Sequence, residues 1–403
     1  MKRLFFGVLL LCLLLTGCGE GNLEIKDTAH PLEDLMAQYV PEQERLPELE
    51  KVPAYTGQPD PVPETVADCK LVVDGKTVKT PVYLQEDNWY VSLERILLAL
   101  DARPEVGPDR LTFTWDGQEV CMVRAMENYF FGESIRSLGT AAPLCIEEGM
   151  LVPVKPLCDI LQVGFFRDAE ENTFYITPGA GKFEIPAGVR IPVLMYHAVG
   201  DDVWGDTELF VSTADMEAQL AWLADNGYTT IFLEDLARAD EIEKPVLLTF
   251  DDGYRNNYDE LFPLLQKYNS KVTIFVVTDL VDQADHKMTS EQIRELSDSG
   301  LVSIQSHTGS HPHLKQLSAQ AQREELQRSK LALLRITGRE PYALCYPYGE
   351  YNTDTLNQMS GLYTVATKIG NLDYFTGQDR RTIARWYMKR STTMEEFIAM
   401  IEP

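Results

Sequence analysis

From about Arg190 to Met400 the chain alternates short apolar runs with amphipathic stretches. The runs Val193–Tyr196, Thr230–Phe232, Val246–Phe250, Val272–Val277, Val302–Gln305, Ala343–Tyr346 and Thr364–Thr367 have the length and the apolar continuity of buried strands. Between them, Thr213–Asn226, Leu261–Tyr268, Ser290–Ser299, Ala319–Thr337 and Thr353–Ser360 carry helical spacing. Repeated strand–helix units predict parallel strands joined by right-handed crossovers. About seven strands predict an α/β fold, an incomplete barrel rather than eight full units, over residues 190–400.

The region from Asp68 to about Pro178 is patterned differently and holds a repeat. Trp89–Leu97 finds an echo in Met150–Cys158, each behind a strand–turn–strand pattern at an acidic turn, Glu86-Asp87-Asn88 and Glu147-Glu148-Gly149. A short helix and then a strand follow each, Leu111–Trp115 and Thr173–Thr177. Two ββαβ-like halves predict a small α+β domain over 68–180. Seven prolines fall between Pro31 and Pro63 among many acidic residues, so 18–67 reads as a semi-stiff tether.

Lys2 and Arg3 precede an apolar stretch from Leu4 to Leu15, shorter than the roughly 20 residues of a membrane span. That arrangement predicts a secretory signal over 1–17. Leu15-Thr16-Gly17-Cys18 resembles a bacterial lipobox, which implies a lipid on Cys18 and an extracytoplasmic protein anchored to the outer face of the membrane. The formal charge of −26 becomes −28 once Lys2 and Arg3 leave with the signal. An acidic surface argues against nucleic acid as a partner, because phosphates need basic patches. Beyond the signal stand Cys69, Cys121, Cys145, Cys158 and Cys345, an odd number without zinc spacing, read as buried thiols rather than a disulfide framework.

Two segments carry the chemistry. Thr249-Phe250-Asp251-Asp252-Gly253 ends an apolar run, so its aspartates sit where a buried strand meets a loop, the usual place for catalytic groups in α/β folds. Ser306-His307-Thr308-Gly309-Ser310-His311-Pro312 spaces two histidines four apart, a spacing that puts both imidazoles on one face of a helical turn. One carboxylate and two imidazoles make an open site for a catalytic divalent metal. The second aspartate is then free to act as a base on water. Together they point to a metal hydrolase.

These motifs, TFDDG and H-[ST]-x-x-H-[PS] about 55 residues apart, resemble the polysaccharide deacetylase (NodB-homology, carbohydrate esterase 4) family. Tyr346-Pro347-Tyr348-Gly349 resembles its third motif, and Ile191–Val199 resembles the opening of a branch acting on poly-N-acetylglucosamine. The resemblance covers roughly the last 210 residues and implies a distorted (β/α) barrel. It implies Asp252, His307 and His311 as metal ligands, Asp251 as general base and the backbone N–H of Tyr348 as oxyanion donor. The family's late histidine acid is absent, since no histidine follows His313; His197 stands in for it by resemblance to the Tyr-His-x-Val branch. Cys345 occupies the place of a family arginine, and Arg385 resembles a late arginine that orients Asp251. The metal implied is zinc, with cobalt, nickel or iron alternatives. The 68–180 region resembles the N-terminal stalk domain of copper amine oxidases, a spacer or wall-binding module.

The function implied is removal of acetate from N-acetylglucosamine units of poly-N-acetylglucosamine or peptidoglycan. The alternatives are deacetylation of another wall component, or a catalytically silent glycan-binding or envelope-assembly protein. Tyr254, Asn257 and Trp386 are candidates for a sugar cleft, with ordinary core as the competing reading. His313 reads as solvent-facing, and His30 and His286 carry no visible chemistry.

Overall fold

The computed structural model describes residues 59–402, apart from 108, 109, 133, 140, 148, 178–183 and 284. The signal, Cys18 and the tether up to residue 58 lie outside the described residues.

Residues 59–177 form three sheets with helices Leu93–Ala99 and Val154–Leu161. Both echoed segments fold as a strand running into a helix, and the two strands, Asn88–Ser92 and Gly149–Pro153, pair antiparallel. Leu71, Val91, Ile96, Phe113, Leu157 and Phe174 are in the core between the sheets and helices. The last residues assigned to the tether belong to this body: Glu64–Thr65 is an edge strand, and Asp60 pairs with Arg124 at 2.6 Å. A half-buried guanidinium recruits that carboxylate, an attraction that proline content alone does not reveal.

Residues 190–402 build the barrel. Its strands are β1 (Val193–Tyr196), β2 (Pro245–Phe250), β3 (Val272–Val276), β4 (Val302–Ser306), β5 (Ala343–Cys345), β6 (Val365–Ile369) and β7 (Ile383–Tyr387). Each pairs parallel with its sequence neighbour, and β7 returns to β1, so seven strands close the ring. The ring includes Ile383–Tyr387, whose central arginine hides its strand character. Thr229–Thr230, shorter than predicted, only edges β2 from outside. Along β2, Leu247 belongs to the inner cluster while Leu248 and Phe250 face the helices. Burial on both faces explains why the strands read as continuous apolar runs.

Helices α1 (Thr213–Asp225), α2 (Phe262–Tyr268), α3 (Ser290–Asp298), α4 (Ala319–Thr337), α5 (Thr353–Gln358) and α6 (Met394–Ile401) belong to the same body. Ser212, Thr289 and Ser318 cap three of them through side-chain oxygens that accept backbone N–H groups. At the end of α4, Gly338 has φ of +70°, and a Cβ there would lie 2.5 Å from Gly75 Cα, so only glycine allows this approach. Close by, Arg335 grips Asp168 at 2.6 and 3.0 Å, and Arg339 reaches Asp74 at 3.1 Å. The small domain and the barrel thus share one compact unit. No helix among the described residues is long and apolar enough to cross a membrane.

Candidate active site

The C-terminal ends of the strands bring the predicted residues together. After β2 the chain delivers Asp251, whose N–H donates to Tyr196 O at 2.9 Å, and then turns through Asp252 (φ 70°) and Gly253 (φ 65°). β7 delivers Arg385 into the same interior. Its Nη1 and Nη2 donate to Asp251 Oδ1 and Oδ2, both at 2.7 Å, and Nη1 also reaches Thr249 Oγ1 at 2.9 Å. Both partners are buried. Burial alone would raise the Asp251 carboxyl, but the charge and hydrogen bonds of Arg385 outweigh it and hold the pKa well below the carboxylate range.

Cys345 touches this pair, its Sγ 3.4 Å from Asp251 Oδ2 and 3.1 Å from Arg385 Nη2. A thiol thus fills the place of the family arginine, while the guanidinium arrives from β7. Burial pushes the thiol pKa well above its ordinary value.

His307 follows β4, and its Nδ1 lies 2.9 Å from Cys345 O, a bond that commits Nδ1–H as donor and leaves Nε2 as a lone-pair donor. Nε2 stands 3.5 Å from Asp252 Oδ1, and His311 Nε2 stands 3.6 Å from the same oxygen. The prediction of a helical turn for the histidines is corrected here: 307–313 is a loop, with positive φ at Thr308 (68°) and His311 (59°). Thr308 Oγ1 accepts the N–H of His311 at 3.1 Å and folds the loop back.

Three potential ligands therefore converge without satisfying one another. Nitrogen and oxygen ligands at about 2.0–2.1 Å from a tetrahedral ion stand roughly 3.4 Å apart, close to the observed spacing, so the donor set fits a divalent cation. Burial lowers the His311 pKa to about 4, keeping the imidazole neutral as a ligand must be.

His197 follows β1 and sits half-buried, with Nδ1 lacking a protein partner and its ring 5.5 Å from Tyr387. Burial lowers its pKa, against the charges of Asp251 and Asp252. Tyr348 adopts φ 59° and exposes 52% of its surface, its ring lying 4.7 Å from His311 and stacked at 4.0 Å on His313. His313 is exposed and meets Glu350 at 3.0 Å rather than the converging ligands.

Of the cleft candidates, only Tyr254 stands at the site. Asn257 is fully buried, and Trp386 points to the opposite side of β7 from Arg385, donating to Asp373 at 3.0 Å. Alternation along a strand sends neighbours to opposite faces. The sequence reading missed Lys287. Its Nζ donates to Asp252 O at 2.9 Å and lies 3.6 Å from the Tyr254 ring centroid. Burial lowers its pKa to about 8. A lone lysine in a polar stretch carries no sequence signal of such a contact.

Fold and site define a class, a parallel α/β barrel with an open two-imidazole, one-carboxylate site beside an arginine-clamped aspartate. Within that class the chain belongs to the polysaccharide deacetylase family. The family profile matches residues 238–364, which hold Asp251, Asp252, His307, His311 and Tyr348 but neither His197 nor Arg385. The Streptococcus pyogenes deacetylase PplD, solved with acetate, is 30% identical and covers 54% of this chain and 100% of its own, with a TM-score of 0.50. Bacillus subtilis YxkH is 37% identical over 180 residues, 43% of this chain and 62% of its own. The Escherichia coli poly-beta-1,6-N-acetyl-D-glucosamine N-deacetylase is 25% identical over 260 residues, 52% of this chain and 38% of its own. The chain thus spans less than two thirds of these two curated relatives.

Proposed function

We propose that this chain hydrolyses the acetamide of N-acetylglucosamine units in a cell-surface or cell-wall polysaccharide, releasing acetate. The observation that carries this is the convergence of Asp252, His307 and His311 beside an Asp251 held ionised by Arg385. The name of the Escherichia coli relative favours a poly-N-acetylglucosamine substrate.

Asp252 and the Nε2 atoms of His307 and His311 would hold a divalent cation, zinc first and cobalt, nickel or iron as alternatives. Such an ion, when bound, supplies a Lewis acid and lowers the pKa of water. Asp251, its orientation fixed by Arg385, accepts the proton of the attacking water. The N–H of Tyr348 donates to the developing oxyanion. His197 gives a proton to the departing nitrogen, since an amine anion is a poor leaving group. Tyr254 and Tyr348 offer aromatic walls to the sugar. In this reading the 59–177 body is a spacer or wall-binding module, and a lipid on Cys18 tethers the protein outside the membrane.

The test is acetate release from N-acetylglucosamine oligomers by metal-stripped protein, then with zinc or cobalt restored. Metal-dependent release should fall about 10²–10⁴-fold in Asp251→Asn, as for loss of a general base, with metal retained. Absence of release with either metal, on oligomers and on peptidoglycan, would put a glycan-binding role first.

A further inference from the structure

The loop from His307 to His311 carries two of the three proposed ligands without the ladder of a helix or strand. Thr308 and His311 both take positive φ, 68° and 59°. For residues other than glycine this backbone state is costly and persists only where the surroundings enforce it. The two histidines are secured differently. His307 is oriented by the bond between its own Nδ1 and Cys345 O. Among the described residues the His311 ring has no such hydrogen bond; its Nε2 faces Asp252 at 3.6 Å and its ring packs at 66° to that of Tyr348. A metal-binding imidazole is ordinarily fixed by a partner on its other nitrogen. For His311 that task falls to the backbone.

Helix α4 grips that backbone. Glu325 Oε2 accepts the Ser310 N–H at 2.8 Å, and Oε1 accepts the Ser310 hydroxyl at 3.1 Å. One turn along α4, Arg328 bonds Glu325 and donates to Asp279 Oδ2 at 2.8 Å. Its guanidinium lies against Gly309, where a Cβ would collide with it. Asp279 completes the circuit, its N–H donating to Gly309 O at 2.9 Å. The Glu325 side chain is only 13% exposed, so water competes little for its bonds. A carboxylate that takes two hydrogen bonds from one residue fixes direction as well as distance. The H-[ST]-x-x-H pattern leaves Gly309 and Ser310 as open positions, and the chemistry above uses neither Glu325 nor Arg328.

We infer that Glu325 is a positioning residue of the metal centre, holding Ser310 so that the next residue, His311, presents Nε2 to the cation. The inference rests on the reading of Asp252, His307 and His311 as metal ligands. Glu325 acts through one peptide and touches neither cation nor glycan. Without it, the ion itself has to order His311, and that ordering is drawn from its binding free energy.

Competition with a chromogenic chelator measures zinc affinity in the full chain, for wild type, Glu325→Ala, Glu325→Gln and Ser310→Ala. Glu325→Ala should weaken zinc binding about tenfold, the lower end of the range for partners that orient ligands. Ser310→Ala loses only the hydroxyl contact and should fall between wild type and Glu325→Ala. Glu325→Gln should keep most of the affinity, because its amide offers an acceptor to the N–H and a donor to the hydroxyl oxygen. Added to Glu325→Ala, Ser310→Ala should cost nothing more, since both contacts belong to one pair. Melting temperatures of the metal-free proteins should stay level; a merely structural carboxylate would lower them and leave zinc affinity alone. Unchanged zinc affinity in Glu325→Ala overturns the inference, as does wild type that takes up no zinc. An equal loss in Glu325→Gln also overturns it, since bare charge would then be the cause. Because zinc affinity is read instead of acetate release, the deacetylase proposal can fail while this role of Glu325 stands, and the reverse.

Discussion

Asp251 and Asp252 are neighbours with opposite surroundings, because the backbone turns to positive φ between strand and loop. One carboxylate faces a guanidinium and the other two imidazoles. Arg385→Met should leave Asp251 buried and uncompensated, costing about 3–5 kcal/mol of stability in urea denaturation. The motif residues were legible because their identities are their chemistry. Cys345 was not, since a small buried residue looks the same in sequence whether or not it touches a carboxylate. Its raised thiol pKa and full burial make it unreactive. Thiol reagent should therefore modify it only under denaturing conditions, read by mass spectrometry of the peptide; rapid labelling of native protein would contradict that placement.

Elements decide which residues meet. Six of the seven sequence-predicted strands enter the ring, whereas its seventh strand, Ile383–Tyr387, was hidden by Arg385 at its centre. The His307–His311 spacing pointed to the correct pair for the wrong backbone reason, since Thr308 folds a loop where a helical turn was predicted. Lys287 bonds the backbone carbonyl of Asp252, a proposed ligand, a contact suited to positioning it. On that basis Lys287→Met should weaken zinc binding about 10–100-fold, the range for partners that orient ligands. Competition with a chromogenic chelator measures this, and an unchanged affinity would make the lysine merely structural.

For the whole molecule, the contact between the small domain and α4 makes one body of two patterns. Asp168 is buried, and its hydrogen bonds from Arg335 lower its pKa despite the opposing effect of burial. A depressed carboxylate contributes stability that is present above its unfolded pKa of about 3.9 and lost as pH falls through the folded value. Asp168→Asn should therefore cost about 2 kcal/mol at pH 7. The difference from wild type should shrink below about pH 4, where protonation removes the same charge. Thermal unfolding at pH 7 and at acid pH reads this; an equal gap at both would show that charge is not what joins the two bodies.

The sequence by itself determined the parallel strand–helix alternation, the repeat in the small domain and the motif residues, because periodicity and residue chemistry are local properties. Tertiary structure decided that the ring closes through Ile383–Tyr387, that Cys345 touches the Asp251–Arg385 pair, and that Lys287 bonds the Asp252 carbonyl. Those outcomes depend on which distant segments share an interior. Burial and charge compensation select such partners only once the barrel has formed.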